Sequence, residues 1–125
     1  MKDYIESIIN WNKIADNNEF NKHLEMSMLS EEFAETILAI KNKDSIEVLD
    51  WVIDMFIIWV WTLHKLWYNS EQIAIAFDAI MVNNYSKFQY DEQWNHICVK
   101  DSNWKILKPE WFTPVDLSDL KPNTL

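Results

Sequence analysis

Residues 31–54 read EEFAETILAIKNKDSIEVLDWVID, from Glu31 to Asp54. Apolar residues recur at three- and four-residue spacing on both sides of the polar segment Lys41-Asn42-Lys43-Asp44-Ser45. That periodicity predicts two consecutive helices. The connection is short, so the helices should be antiparallel neighbours. Six carboxylates fall on them: Glu31, Glu32, Glu35, Glu47, Asp50 and Asp54. The last two border the strongly apolar run Val52 to Leu63. Acids beside that much hydrophobic surface need a positive partner to offset them.

The flanking segments extend the helical pattern. Residues 2–15 place Tyr4, Ile5, Ile8, Ile9, Trp11 and Ile14 at amphipathic spacing. Residues 21–42 form a second helix, with Asn21 as its cap and Leu24, Met28, Phe33, Ile37, Leu38 and Ile40 on its apolar side. Asp44 or Ser45 caps a third, which runs to about Trp67 and is apolar nearly all round after Asp54. Such a helix is expected to be buried on every side and to meet a second subunit. A fourth helix follows from Glu71 to about Lys87, with Ser70 as its N-cap. Beyond Tyr90 the periodicity fades. A hairpin pairing Ile97–Val99 with Trp104–Leu107, or an extended arm, fits there, and Asp116–Leu120 suggests a last helical turn. No internal repeat stands out. The expected fold is an all-α four-helix bundle over residues 2–88 with an irregular aromatic-rich arm over 89–125, in a single domain spanning 1–125.

Composition narrows the function. The chain has 125 residues, of which 49% are apolar, enough for one domain with one core. Twenty acids against 11 lysines and no arginine leave a net charge of −9. A nucleic-acid binder needs a basic stripe, so none is expected as partner. The longest uncharged apolar run, Met55 to Leu63, is nine residues. About 20 are needed to cross a bilayer, so no membrane partner is expected. The start Met1-Lys2-Asp3-Tyr4 does not resemble a signal peptide. Cys98 is the one cysteine and reads as a buried structural thiol in a reducing, cytoplasmic protein. Glycine is absent, so turns are expected to rely on asparagine, at Asn17-Asn18, Asn42 and Asn69.

Helix geometry sorts the six acids. At about 100° per residue, Glu31, Glu32 and Glu35 form one acidic face. Glu47, Asp50 and Asp54 stand within roughly 60° of one another on the next helix. With the turn centred near residue 43, Glu32 and Glu35 face Asp50 and Asp54. Glu47 lies nearer the turn and is held in reserve. Converging carboxylates repel unless cations occupy the site. Oxygen-only ligands select hard ions, Mg²⁺ or Mn²⁺. A di-iron bundle would need Glu three residues before a histidine. The residues three before His23, His64 and His96 are Phe20, Trp61 and Gln93.

Four blocks, taken together, carry a resemblance: Glu31-Glu32-x-x-Glu35; Asp50-x-x-x-Asp54 before an apolar run; Phe77-Asp78-x-Ile80-x-x-x-Asn84-x-Ser86-Lys87; and Lys108-Pro109-x-Trp111-x-x-Pro114. Over residues 20–118 the chain resembles the all-α nucleoside triphosphate pyrophosphohydrolases, the MazG-like and phosphoribosyl-ATP-pyrophosphohydrolase-like superfamily. It departs from the pattern in three places. A literal E-x-x-D is available only as Glu47-x-x-Asp50, Trp51 stands where that motif's Glu would be if Asp54 supplies its Asp, and Trp61-Thr62 replaces a frequent glycine. The resemblance implies Mg²⁺-dependent hydrolysis of a nucleoside triphosphate, expected to be a dNTP, to monophosphate and pyrophosphate. It implies metal ligation by Glu32, Glu35, Asp50 and Asp54, and catalytic roles for Glu31 and Glu35, with Glu31 orienting or deprotonating water. Asn84, Ser86 and Lys87 would contact phosphate, and Trp11 and Asn12 the base. A homodimer or homotetramer is expected. The alternatives are a non-catalytic helical interaction module that keeps the fold and a regulatory, metal-binding acidic bundle.

Overall fold

The computed structural model describes residues 1–122. Its backbone contacts group the described residues into two compact units, Met1–Ile73 with residues 121–122, and Ala74–Leu120. The chain is mainly helical, as expected: α1 is Lys2–Ile14, α2 Lys22–Lys41, α3 Ser45–Lys65 and α4 Ser70–Tyr85. No helix among the described residues is long and apolar enough to cross a membrane.

The helix starts follow from short polar side chains. Asn21 Oδ1 accepts from the backbone N–H groups of His23 and Leu24, both at 3.1 Å. Asp44 Oδ1 does the same for Ile46 at 3.2 Å and Glu47 at 3.1 Å. Each cap supplies partners for N–H groups that the helix leaves open. At α4 the cap is Asn69 rather than Ser70. Asn69 Oδ1 accepts from the Gln72 N–H at 2.8 Å, and Gln72 Oε1 accepts from the Asn69 N–H at 3.0 Å. This reciprocal pair leaves the Ser70 hydroxyl free to reach Glu6 Oε1 at 3.3 Å.

In the first unit α3 packs against both α2 and α1. The core joins Ile5 and Ile9 of α1, Val60 of α3 and Ile73 from the start of α4, with Ile8, Phe56, Leu63 and Tyr68 around them. Burying α3 on all sides does not occur within one chain. Ile58 and Val60 are buried, but Leu49, Val52, Ile53 and Trp59 remain exposed. Their spacing of three, four and seven puts them on one stripe, which the packed helices do not cover.

A buried ion pair ties α2 to α3. Lys65 Nζ lies 2.5 Å from Glu25 Oε1, with both side chains almost wholly inaccessible. Thr62 Oγ1 donates to Glu25 Oε2 at 2.7 Å.

The second unit continues from α4 into two small hairpins. Strand β1, Gln89–Tyr90, pairs antiparallel with β2, His96–Ile97, setting Gln89 opposite Ile97 and Tyr90 opposite His96. A bridge joins Lys100 to Ile106, and the Leu107 N–H donates to the Val99 carbonyl at 2.8 Å. The second pairing matches the expected hairpin; the first was not anticipated. The two turns share one pattern, Asp91-x-x-Trp94 and Asp101-x-x-Trp104, a local repeat that corrects the reading that none exists. Asp91 Oδ1 accepts from the N–H groups of Gln93 at 2.9 Å and Asn95 at 2.8 Å. Asp101 Oδ1 accepts from Asn103 at 2.8 Å and Lys105 at 3.0 Å. The Asn95 backbone N–H in particular holds the Asp91 carboxyl below its usual range, helped by the Asn95 side chain and the Gln93 N–H.

Among the described residues, left-handed backbone falls on Asp16, Lys43, Trp67, Trp94 and Trp104, with φ between 54° and 72°, and not on asparagine. Asn42 has φ −80°. The expected asparagine turns are therefore displaced by one or two residues, and the hairpin positions that glycine usually fills carry tryptophan. Cys98 is exposed rather than buried, because it lies between the hairpins and outside the helical core. At Asp116–Leu120 a single turn forms, with the Leu120 N–H donating to the Leu117 carbonyl at 2.9 Å.

Candidate functional site

The antiparallel α2–α3 pair sets the register of the acids. Thr36 on α2 meets Met55 on α3, its Oγ1 lying 3.3 Å from the sulfur, and Glu25 meets Thr62 and Lys65 further along. Between these two contacts a cleft of about 250 Å³ opens, with Glu31 and Glu32 on one side and Asp54 on the other. Met28, Ile57, Ile58 and Trp61 complete its walls.

Glu32 is the electrostatic centre of the cluster. Burial, then the negative charges of Glu35, Asp54, Glu31 and Asp50, push its pKa above the ordinary 4.5. Four of the other five acids singled out on the two helices therefore act on Glu32. Glu32 Oε2 is buried and has no hydrogen-bond partner. A charged oxygen in that position is costly without a donor or cation. Glu31 and Asp50 are exposed, while Glu35 and Asp54 are half-buried. Glu47 is exposed beside the Asp44 cap. Among the described residues no three His, Cys, Asp or Glu side chains are gathered closely enough to hold a metal ion. By type alone, the donor chemistry is of the kind a hard divalent cation prefers. It consists of oxygens only, it carries excess negative charge, and one of its oxygens is buried and unpartnered.

The other expected contacts lie elsewhere. The Trp11 ring stacks on Trp61, with centroids 4.9 Å apart and planes 13° from parallel. Asn12 is fully buried; its Oδ1 accepts from Asn17 Nδ2 at 2.9 Å, and its Nδ2 has no partner. Neither residue lines the cleft. In the second unit Lys87 Nζ donates to Asn84 Oδ1 at 2.8 Å, and its ammonium stands 5.8 Å from the centre of the Phe112 ring. The Ser86 hydroxyl donates to the Asn83 carbonyl at 2.5 Å. A larger cleft of about 470 Å³, lined by Glu6, Lys13 and His64 among others, carries no acid cluster. There burial, with Lys13 and Lys65 nearby, lowers the His64 pKa from its ordinary 6.5.

Trp61 is the residue that sequence reasoning missed. It lines the acidic cleft, and its Nε1 is buried without a partner. Its spacing could have found it, because a residue seven positions beyond Asp54 returns to the same helix face.

No family model matches the chain, and no curated protein or solved structure matches it either.

Proposed function

We propose that the chain is a Mg²⁺-dependent nucleoside triphosphate pyrophosphohydrolase, acting on a dNTP to give the monophosphate and pyrophosphate. The observation that carries this reading is the unpartnered, buried Glu32 Oε2 amid Glu31, Glu35, Asp50 and Asp54. Glu32, Glu35, Asp50 and Asp54 would hold Mg²⁺, which when bound neutralises charge on the phosphates and acidifies water. Glu31, exposed at the edge of the cleft, orients the attacking water and takes its proton. The resemblance also assigns phosphate contacts to Asn84, Ser86 and Lys87 of the second unit, where Lys87 Nζ donates to Asn84 Oδ1. The electrons of the broken bond leave with pyrophosphate, and water oxygen is added to the α-phosphorus.

The reading includes a homodimer or homotetramer. The exposed stripe Leu49, Val52, Ile53 and Trp59 on α3 supports it, because a contiguous apolar face on a small domain is usually covered. The rival, a helical interaction module without catalysis, draws on Trp94 and Trp104, whose side chains stand open to solvent at the hairpin tips.

Incubation with each dNTP and NTP plus Mg²⁺ or Mn²⁺, followed by product analysis, tests the proposal. Pyrophosphate and monophosphate are expected, and Glu35→Ala should abolish their formation while leaving the helical circular dichroism intact. Absence of turnover with every nucleotide refutes catalysis. Undiminished activity in Glu35→Ala refutes the ligand assignment.

A further inference from the structure

The larger cleft of the first unit, about 470 Å³, shares no lining residue with the acidic one. Its size falls within the range of about 300–1,000 Å³ usual for small-molecule sites. Glu6, Asn10 and Lys13 line it from α1, His64 from the end of α3, Trp67 from the turn that follows and Ser70 from the start of α4.

Its charges are sorted along α1. Glu6 and Lys13 are seven residues apart on one helix face, roughly 10 Å along the axis. Glu6 Oε1 accepts from the Ser70 hydroxyl at 3.3 Å and lies 4.0 Å from Lys2 Nζ. The acid therefore has partners within the protein. Lys13 takes part in neither ion pair found among the described residues. It stands near enough to His64 to lower the imidazole pKa, after burial and ahead of Lys65. Lys65 itself is paired with Glu25. Asn18 Oδ1 lies 3.2 Å from His64 Nε2. With that oxygen accepting, Nε2 keeps its hydrogen and Nδ1 is the nitrogen that titrates. Tyr68 and Ser70 also line this cleft and add no charge at neutral pH. An unpaired ammonium beside a half-buried imidazole is completed by an anion, which each would meet with a charge-assisted bond once the imidazole is protonated.

Trp67 is a second, independent observation. The end of α3 is closed by the Tyr68 N–H on the Leu63 carbonyl at 3.1 Å and the Trp67 N–H on the His64 carbonyl at 2.9 Å. The left-handed position of such a closure suits glycine or asparagine. Trp67 holds it at φ 72°. The turn does not need the ring, which lines the cleft while the residue stays 50% exposed. Backbone strain kept beside a cleft is a mark of function, and an indole offers a flat face for another ring.

We infer that this cleft is a second ligand site, which takes a planar ring carrying one carboxylate or phosphate group, with Lys13 and His64 meeting the charge and Trp67 meeting the ring. The inference is independent of the pyrophosphohydrolase reading.

The test uses the full chain, labelled with ¹⁵N and ¹³C in histidine, and 2-naphthoate as probe. Its carboxylate stays ionised from about pH 7.5 to about pH 5, the window in which a histidine of lowered pKa gains its proton. Titration should move the His64 ring signals, identified by their loss in His64→Gln, and saturation should raise the His64 pKa. Affinity should rise about fivefold as the pH falls through that window, and His64→Gln should flatten the rise. Lys13→Met should weaken binding about fivefold at either pH. Trp67→Gly keeps the turn and removes the ring, so it should weaken 2-naphthoate while the helical circular dichroism is unchanged. The uncharged 2-naphthamide should bind less tightly than 2-naphthoate, and acetate, which has no ring, should too. Unmoved His64 signals at saturating probe overturn the inference, as does equal binding of naphthoate and naphthamide. Undiminished binding in Lys13→Met or in a folded Trp67→Gly overturns the role given to that residue. None of these outcomes bears on nucleotide hydrolysis.

Discussion

Replacing Lys65 by methionine should destabilise the helical unit more than any other single change at its polar groups. The ammonium is fully inaccessible and lies 2.5 Å from Glu25 Oε1, whose side chain is 3% exposed. Lys65→Met keeps the aliphatic stem and its packing, so the loss is electrostatic. Glu25 is then left buried with only the Thr62 hydroxyl, at 2.7 Å, to meet its charge. Breaking a buried pair from one side costs about 3–5 kcal/mol. Set against a typical domain stability of about 5–15 kcal/mol, that is a large fraction. Removing both charges should behave differently. In Glu25→Leu/Lys65→Met no ion is left without a partner. Thr62 is not orphaned either, because its Oγ1 also lies 3.0 Å from the Ile58 carbonyl. The double variant should therefore match wild type or exceed it by about 1–4 kcal/mol. Urea denaturation at pH 7, followed by far-ultraviolet circular dichroism, gives all corners of the cycle. A loss below about 1 kcal/mol for Lys65→Met would place the pair in the class of solvated surface bridges. A double variant as unstable as the sum of its singles would show that the two charges do not act through each other. Either result refutes the reasoning.

Three further outcomes can be checked by thermal melts. Glu32 has a folded pKa above 4.5, through burial first and its acidic neighbours second; the stability tied to its proton is thus complete below about pH 4.5 and lost as the pH rises through the raised folded value. Metal-free wild type should lose melting temperature over that window relative to Glu32→Gln, and millimolar Mg²⁺ should restore it; identical profiles with and without Glu32 would contradict the electrostatic account. Asp44→Ala removes the side-chain acceptor for Ile46 and Glu47 at the start of α3 and should cost about 1 kcal/mol, with Asp44→Asn nearly neutral. Lys43→Gly, at an exposed left-handed position with φ 56°, should stabilise by about 1 kcal/mol, and a loss would mean that the lysine side chain makes a contact worth more than the strain.

The parts of this molecule that were legible in its sequence depend on neighbours close along the chain. Asn21 and Asp44 cap helices because their own side chains reach amides two and three residues ahead. The gathering of acids around Glu32 could be read from a turn short enough to fix the α2–α3 register. What escaped depends on groups whose partners are distant or whose role contradicts their type. Glu25 and Lys65 are 40 residues apart, and each alone reads as an ordinary helix-surface charge. The hairpin tips were invisible because turns were sought at asparagine, while the left-handed positions hold Trp94 and Trp104.

A chain without glycine must place side chains where backbone strain is highest, and at three of the five left-handed positions among the described residues the side chain is tryptophan. At each hairpin the turn is held by a nearby aspartate that accepts two backbone N–H bonds, so the strain is offset locally rather than by a core. Aromatic residues are thus used in two ways. Trp94 and Trp104 close turns at the surface, whereas Trp61 stacks on Trp11 and lines the acidic cleft. Periodicity cannot separate these roles, since it registers a tryptophan only as apolar. The polar end of the indole separates them. At Trp61 that end is buried and lacks a partner, while Trp94 and Trp104 stand exposed.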